Sequence, residues 1–78
     1  MVTATLLRIG ALARKTGKTV RALRYYEELG LLKPTSHTDG GFRLYDPEEV
    51  KRVELIERLQ ELGFSLDQIR QIVEVWRQ

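Results

Sequence analysis

The sequence predicts a mainly α-helical domain of four short helices, with a small two-stranded β-hairpin between the second and the third. Three observations carry this reading. Apolar residues recur at helical spacing in four separate stretches. Each stretch is bounded by capping residues or by glycine. Asp39-Gly40-Gly41 separates two short segments that alternate like strands.

The first helix spans Ile9 to about Lys15, with Ile9, Leu12 and Ala13 as its apolar contacts and Gly17 as a left-handed stop. The second starts after a short turn, with Thr19 as N-cap, and runs to about Leu29, where Gly30 stops it. Two helices joined so tightly, with glycine in the turn, make a helix-turn-helix. Leu31, Leu32 and Lys33-Pro34 then lead outward in an extended path. Ser36–Thr38 and Phe42–Tyr45 flank glycines that permit positive φ, as a tight hairpin requires. Phe42 and Leu44 fall on one face of the second strand, Arg43 and Tyr45 on the other. Such a hairpin must lean on the helices, because alone it is barely stable in water.

Asp46-Pro47-Glu48-Glu49 reads as a helix start: Asp46 caps, Pro47 takes the first helical position, and Glu49 can complete a capping box. Tyr45 and Val50 occupy the positions of a hydrophobic staple. Val50, Val53, Ile56 and Leu59 point inward, and the helix ends by Leu62-Gly63. Ser65 and Gln68 repeat the capping box, with Phe64 and Ile69 as the staple. Ile69, Ile72, Val73 and Trp76 share a face of the last helix, with Trp76 expected to fold back onto the core. That helix reaches Gln78 with no stop signal. The chain is therefore expected to be a piece of a longer protein rather than a protein of one domain.

With 78 residues the chain makes a single domain, in which residues 1–7 are expected to be flexible. It has no cysteine, which removes disulfides, thiolate metal sites and a cysteine nucleophile. No secretory signal or membrane-length apolar run is present, so a soluble, cytoplasmic chain is expected. The net charge of +2 is unevenly spread. Residues 1–45 carry eight basic and three acidic side chains; residues 46–78 carry five and eight. From Arg8 to Arg24 there are six cations and no anion, a pattern suited to a polyanion.

Thr19 to Tyr26 concentrates that charge. Val20, Leu23 and Tyr26 form an apolar stripe, while Arg21, Arg24 and Tyr25 share another face. Guanidinium groups can fork onto phosphate or a guanine edge, and a phenol can donate to a phosphate oxygen. The same residues also suit an ordinary solvated face. Arg14, Lys15, Lys18 and Arg58 are weaker phosphate candidates, for which solvation is the equal or better reading. Glu48, Glu49, Glu54, Glu57 and Glu61 read as caps and a solvated face.

Helix-turn-helix, Gly-tipped hairpin and two further helices in this order resemble the DNA-binding domain of the MerR family of transcription regulators. The residues that carry the resemblance are Arg8-Ile9-Gly10 with Leu12-Ala13, Thr16-Gly17, Val20-Arg21 and Leu23-Arg24-Tyr25-Tyr26-Glu27. They continue through Gly30-Leu31-Leu32, Pro34, Gly41-Phe42-Arg43-Leu44-Tyr45 and Glu61-Leu62-Gly63-Phe64-Ser65-Leu66 with Ile69. The resemblance implies a winged helix-turn-helix that binds double-stranded DNA as a homodimer at promoters. It implies bending and untwisting of that DNA for RNA polymerase, with deformation offset by contacts on both flanks. By position, Arg21, Arg24 and Tyr25 are the implied helix contacts and Arg43 the wing's phosphate ligand. Lys18, Thr19 and His37 complete the implied DNA-binding set.

Four positions depart from the family pattern. Lys18 replaces an apolar residue and adds a cation beside the groove. Phe42 replaces tyrosine, Gly40 replaces asparagine, and His37 replaces arginine while keeping a donor for phosphate. The family's dimerisation helix and effector region have no counterpart before Gln78, and without cysteine the metal-sensing branch has no support. Neither a cofactor nor a metal site is expected. Two other functions fit less well: an excisionase-type architectural or recombination accessory protein, and a protein-interaction module using the last helix. An enzyme is the weakest candidate, since the single histidine, His37, lies in the hairpin and no catalytic constellation accompanies it.

Overall fold

The computed structural model describes residues 5–77, with side chains as far as Val75. Its elements are β1 (Leu7–Arg8), α1 (Ile9–Thr16), α2 (Val20–Glu28), β2 (Ser36–His37), β3 (Arg43–Tyr45), α3 (Glu48–Glu61) and α4 (Leu66–Arg77). The four helices lie where sequence places them. The expectation for Trp76 concerns a side chain outside the described residues, and residues 1–4 of the expected flexible start are outside them too.

The wing is a three-stranded antiparallel sheet in the order β1-β3-β2, not a two-stranded hairpin. Leu7 pairs with Tyr45 and Arg8 with Leu44, while Ser36 pairs with Leu44 and His37 with Arg43. Leu7 thus belongs to a strand rather than to a flexible lead. The third strand explains how so short a hairpin persists: β3 is held on both edges, and β1 runs directly into α1. At the tip only Gly41 takes a left-handed φ, of 85°; Gly40 does not.

Helix ends follow local chemistry. Gly17 closes α1 at φ 75°, its N–H donating to the Ala13 carbonyl at 2.9 Å. Thr19 caps α2 by accepting from the Ala22 N–H at 3.0 Å. Ser65 and Gln68 form the expected capping box: the Ser65 N–H donates to Gln68 Oε1 at 2.9 Å and the Gln68 N–H to Ser65 Oγ at 3.1 Å. Asp46 Oδ1 accepts from the Glu48 N–H at 2.8 Å, as a cap should. Glu49 does not complete that box. Its buried carboxylate accepts from the Lys33 N–H at 3.1 Å and faces Arg52 Nε at 3.5 Å. The Asp46 N–H turns instead to Thr35 Oγ1, at 3.2 Å. A carboxylate this deep needs several donors, and the α2–β2 connection supplies one.

Leu12, Leu23, Tyr26, Leu31, Leu32, Tyr45, Val53, Ile56, Ile69 and Val73 form the core. Leu31 and Leu32 are buried within it and do not lead outward. Each buried aliphatic side chain of this size contributes about 1.5–3 kcal/mol, so the two leucines pin the end of α2 to the bundle. Leu62, Phe64 and Val75 remain exposed.

Candidate nucleic-acid interface

The helix-turn-helix presents a polar ridge. Leu23 and Tyr26 bury one side of α2, and the Tyr26 hydroxyl donates to Gln60 Oε1 at 3.5 Å. Helical geometry therefore drives Arg21, Arg24 and Tyr25 outward, and all three are exposed, Tyr25 by 51%. No acidic residue stands in the first turn of α2. The ridge is accessible, and it lies on the wing side of the domain: Arg24 and Arg43 together line two clefts.

One carboxylate joins helix and wing. Glu27 Oε2 lies 2.7 Å from Arg43 Nε, and the Tyr45 hydroxyl donates to Glu27 Oε1 in a short hydrogen bond. Arg43 and Tyr45 share a face of β3, as the alternation predicts, and that face meets α2. Burial, with the hydrogen bond to Glu27, pushes the Tyr45 phenol far above its ordinary range. Arg43 keeps more than half of its side chain exposed. Its remaining guanidinium surface can still meet an anion.

The other sequence candidates separate. Lys18 Nζ is 2.7 Å from Glu57 Oε2 on α3, and that partner raises its pKa. Lys18 thus ties the turn to α3. Thr19 spends its hydroxyl on the α2 cap. His37 is exposed on β2, directly across from Arg43. Arg14, Lys15 and Arg58 are also exposed.

Three features escaped the sequence. Glu27 was part of a motif, but nothing local revealed its partners on β3. Arg8 is legible as charge and as part of a motif, but not through its ring partner: its guanidinium carbon lies 5.0 Å from the centre of the Phe42 ring, a cation–π distance. Arg8 and Phe42 line a cleft of about 610 Å³ between the wing and α1, together with Arg14, Arg24, Arg43 and Tyr45. Among the described residues no group of three or more His, Cys, Asp or Glu side chains could hold a metal ion. No helix there is long and apolar enough to cross a membrane.

Residues 7–75 match the family described as "MerR HTH family regulatory protein", and the chain belongs to that family. It is 57% identical over 67 residues to the nodulation protein NolA of Bradyrhizobium elkanii, covering 86% of this chain and 31% of that protein. A MerR-family transcriptional regulator from Bacillus cereus superimposes with a TM-score of 0.79 at 40% identity, over 88% of this chain and 52% of that one. HiNmlR, described as a MerR family regulator lacking the sensor domain and bound to promoter DNA, gives a TM-score of 0.79 at 26% identity, over 90% and 56%. The chain thus spans about a third of the length of NolA and about half that of the two solved structures.

Proposed function

We propose that this chain is the DNA-binding domain of a transcription regulator and docks α2 in the major groove of a promoter while the wing grips the neighbouring backbone. The observation that carries this reading is the exposed Arg21, Arg24 and Tyr25 ridge with Arg43 fastened to the same helix through Glu27. Helix and wing then approach a duplex as one rigid unit. Arg21 and Arg24 supply base or phosphate contacts, Tyr25 donates to a phosphate, and Arg43 and His37 meet the flanking strand. Lys18 and Thr19 serve the site by fixing the turn that aims α2.

Family membership and the promoter DNA bound by HiNmlR support the choice of duplex DNA. We extend the proposal to a homodimer that bends promoter DNA and engages RNA polymerase there.

Fluorescence anisotropy with a labelled duplex of mixed sequence at low salt tests the reading. Wild type should bind with an affinity that falls steeply with salt, and Arg21→Ala with Arg24→Ala should weaken it at least tenfold. Binding that ignores both substitutions, or no binding at all, contradicts it.

A further inference from the structure

We infer that the cleft between α1 and the wing is a second phosphate-binding site, held by Arg8 and Arg14. The inference rests on the proposed docking and adds an anchor beside the α2 ridge, in the cleft that Arg24 also lines. Arg14 begins on the last turn of α1, but a helical side chain leans toward the N-terminus. A β-carbon placed on Gly10 would lie 3.8 Å from Arg14 Nη1, so the guanidinium lies back over the first turn. Arg8 stands at the N-cap position of the same helix and makes no side-chain cap.

Two cations therefore sit at the positive end of α1, where the helix dipole disfavours them. No acidic residue occupies its first turn, whereas α3 begins with Glu48 and Glu49 and α4 with Asp67. Like charges gathered against a dipole are tolerable when an anion arrives from outside. Arg24 brings another guanidinium group to the same cleft, as does Arg43, which is also paired with Glu27, and none of the residues lining the cleft is acidic. Phe42 holds Arg8 in place through its ring face. The cleft opens beside Arg24 of the ridge, so one duplex can reach both. The ligand is a phosphate group, and its source is the DNA backbone.

The test combines salt-dependent duplex binding with amide NMR of the 78-residue chain. Arg8→Gln and Arg14→Gln, made singly, should each flatten the slope of log K against log salt by about 0.9, the value for one lost phosphate contact. Lys51→Ala, on the outer side of α3, should leave it unchanged. The Gly10 and Ala11 amides should shift on titration with the duplex. If wild type binds and Arg21→Ala weakens it while both cleft variants keep the full slope, the second site is overturned and the docking of α2 stands. If wild type binds no duplex, both proposals fall. If inorganic phosphate moves those amides and the duplex does not, the site serves a free phosphate, and the assignment to the DNA backbone is overturned.

Discussion

Glu27 on α2 holds Arg43 on β3, with 2.7 Å between Oε2 and Nε, while its other oxygen accepts from the buried Tyr45 hydroxyl. Helix α2 and the wing are thus joined through the Glu27 carboxylate. The two halves of this clamp are unequal. Tyr45 is buried and its bond is charge-assisted, which is worth about 1.5–3 kcal/mol. Arg43 is more than half exposed, and such ion pairs typically give about 0.2–1 kcal/mol. Double-mutant cycles of Glu27→Gln with Tyr45→Phe and with Arg43→Gln, read by urea unfolding, should show the larger coupling for Tyr45. Equal couplings would mean that Arg43 carries the clamp.

Alkaline pH should loosen the same contact. The folded state keeps the Tyr45 proton because of burial and Glu27, so its pKa is raised. Lys18 is raised as well, by Glu57. A group with a raised folded pKa contributes fully below its unfolded pKa, and that contribution falls as pH climbs toward the folded value. For both groups the loss begins at about pH 10. Melting temperature should hold below that point and decline above it. Tyr45→Phe should make the decline shallower while Lys18 still contributes. An unchanged slope in that variant would exclude the phenol as a source.

The capping box of α4 gives a prediction independent of DNA. Ser65→Ala removes the acceptor of the Gln68 N–H and should cost about 1 kcal/mol. Gln68→Ala removes the return bond to the Ser65 N–H and should cost less, since water can satisfy that exposed group. Thermal unfolding of the two variants checks both size and order.

These cases show what the sequence could reveal. Ser65 and Gln68 are three residues apart, so their partnership follows from local geometry alone. The Thr19 cap and the outward ridge of Arg21, Arg24 and Tyr25 follow likewise from helical periodicity. Strand β1 was invisible because Leu7-Arg8 is too short to show alternation, and its partner Tyr45 is distant in sequence. The capping role read for Glu49 failed for a related reason: the competing donor, the Lys33 N–H, comes from another part of the chain. Glu27 belongs to a sequence motif and Arg14 is a weak phosphate candidate, and nothing local reveals the partners of either. Only the fold brings the first to β3 and leans the second over Gly10.

Within the ridge, Tyr25→Phe should weaken duplex binding by about 1 kcal/mol on every sequence, since a neutral hydrogen bond to phosphate carries no base preference. Anisotropy on several unrelated duplexes measures this. A loss confined to one sequence would assign Tyr25 to a base edge.

Selection of bound fragments from a pool of random duplexes, run with wild type and with Arg24→Ala, tests the docking of α2 most directly. Wild type should enrich a shared motif. Arg24→Ala should relax that motif at one position and lose about 1–3 kcal/mol there. A wild-type pool with no common motif would contradict a base-reading role for this helix, and one identical to that of Arg24→Ala would contradict that role for Arg24.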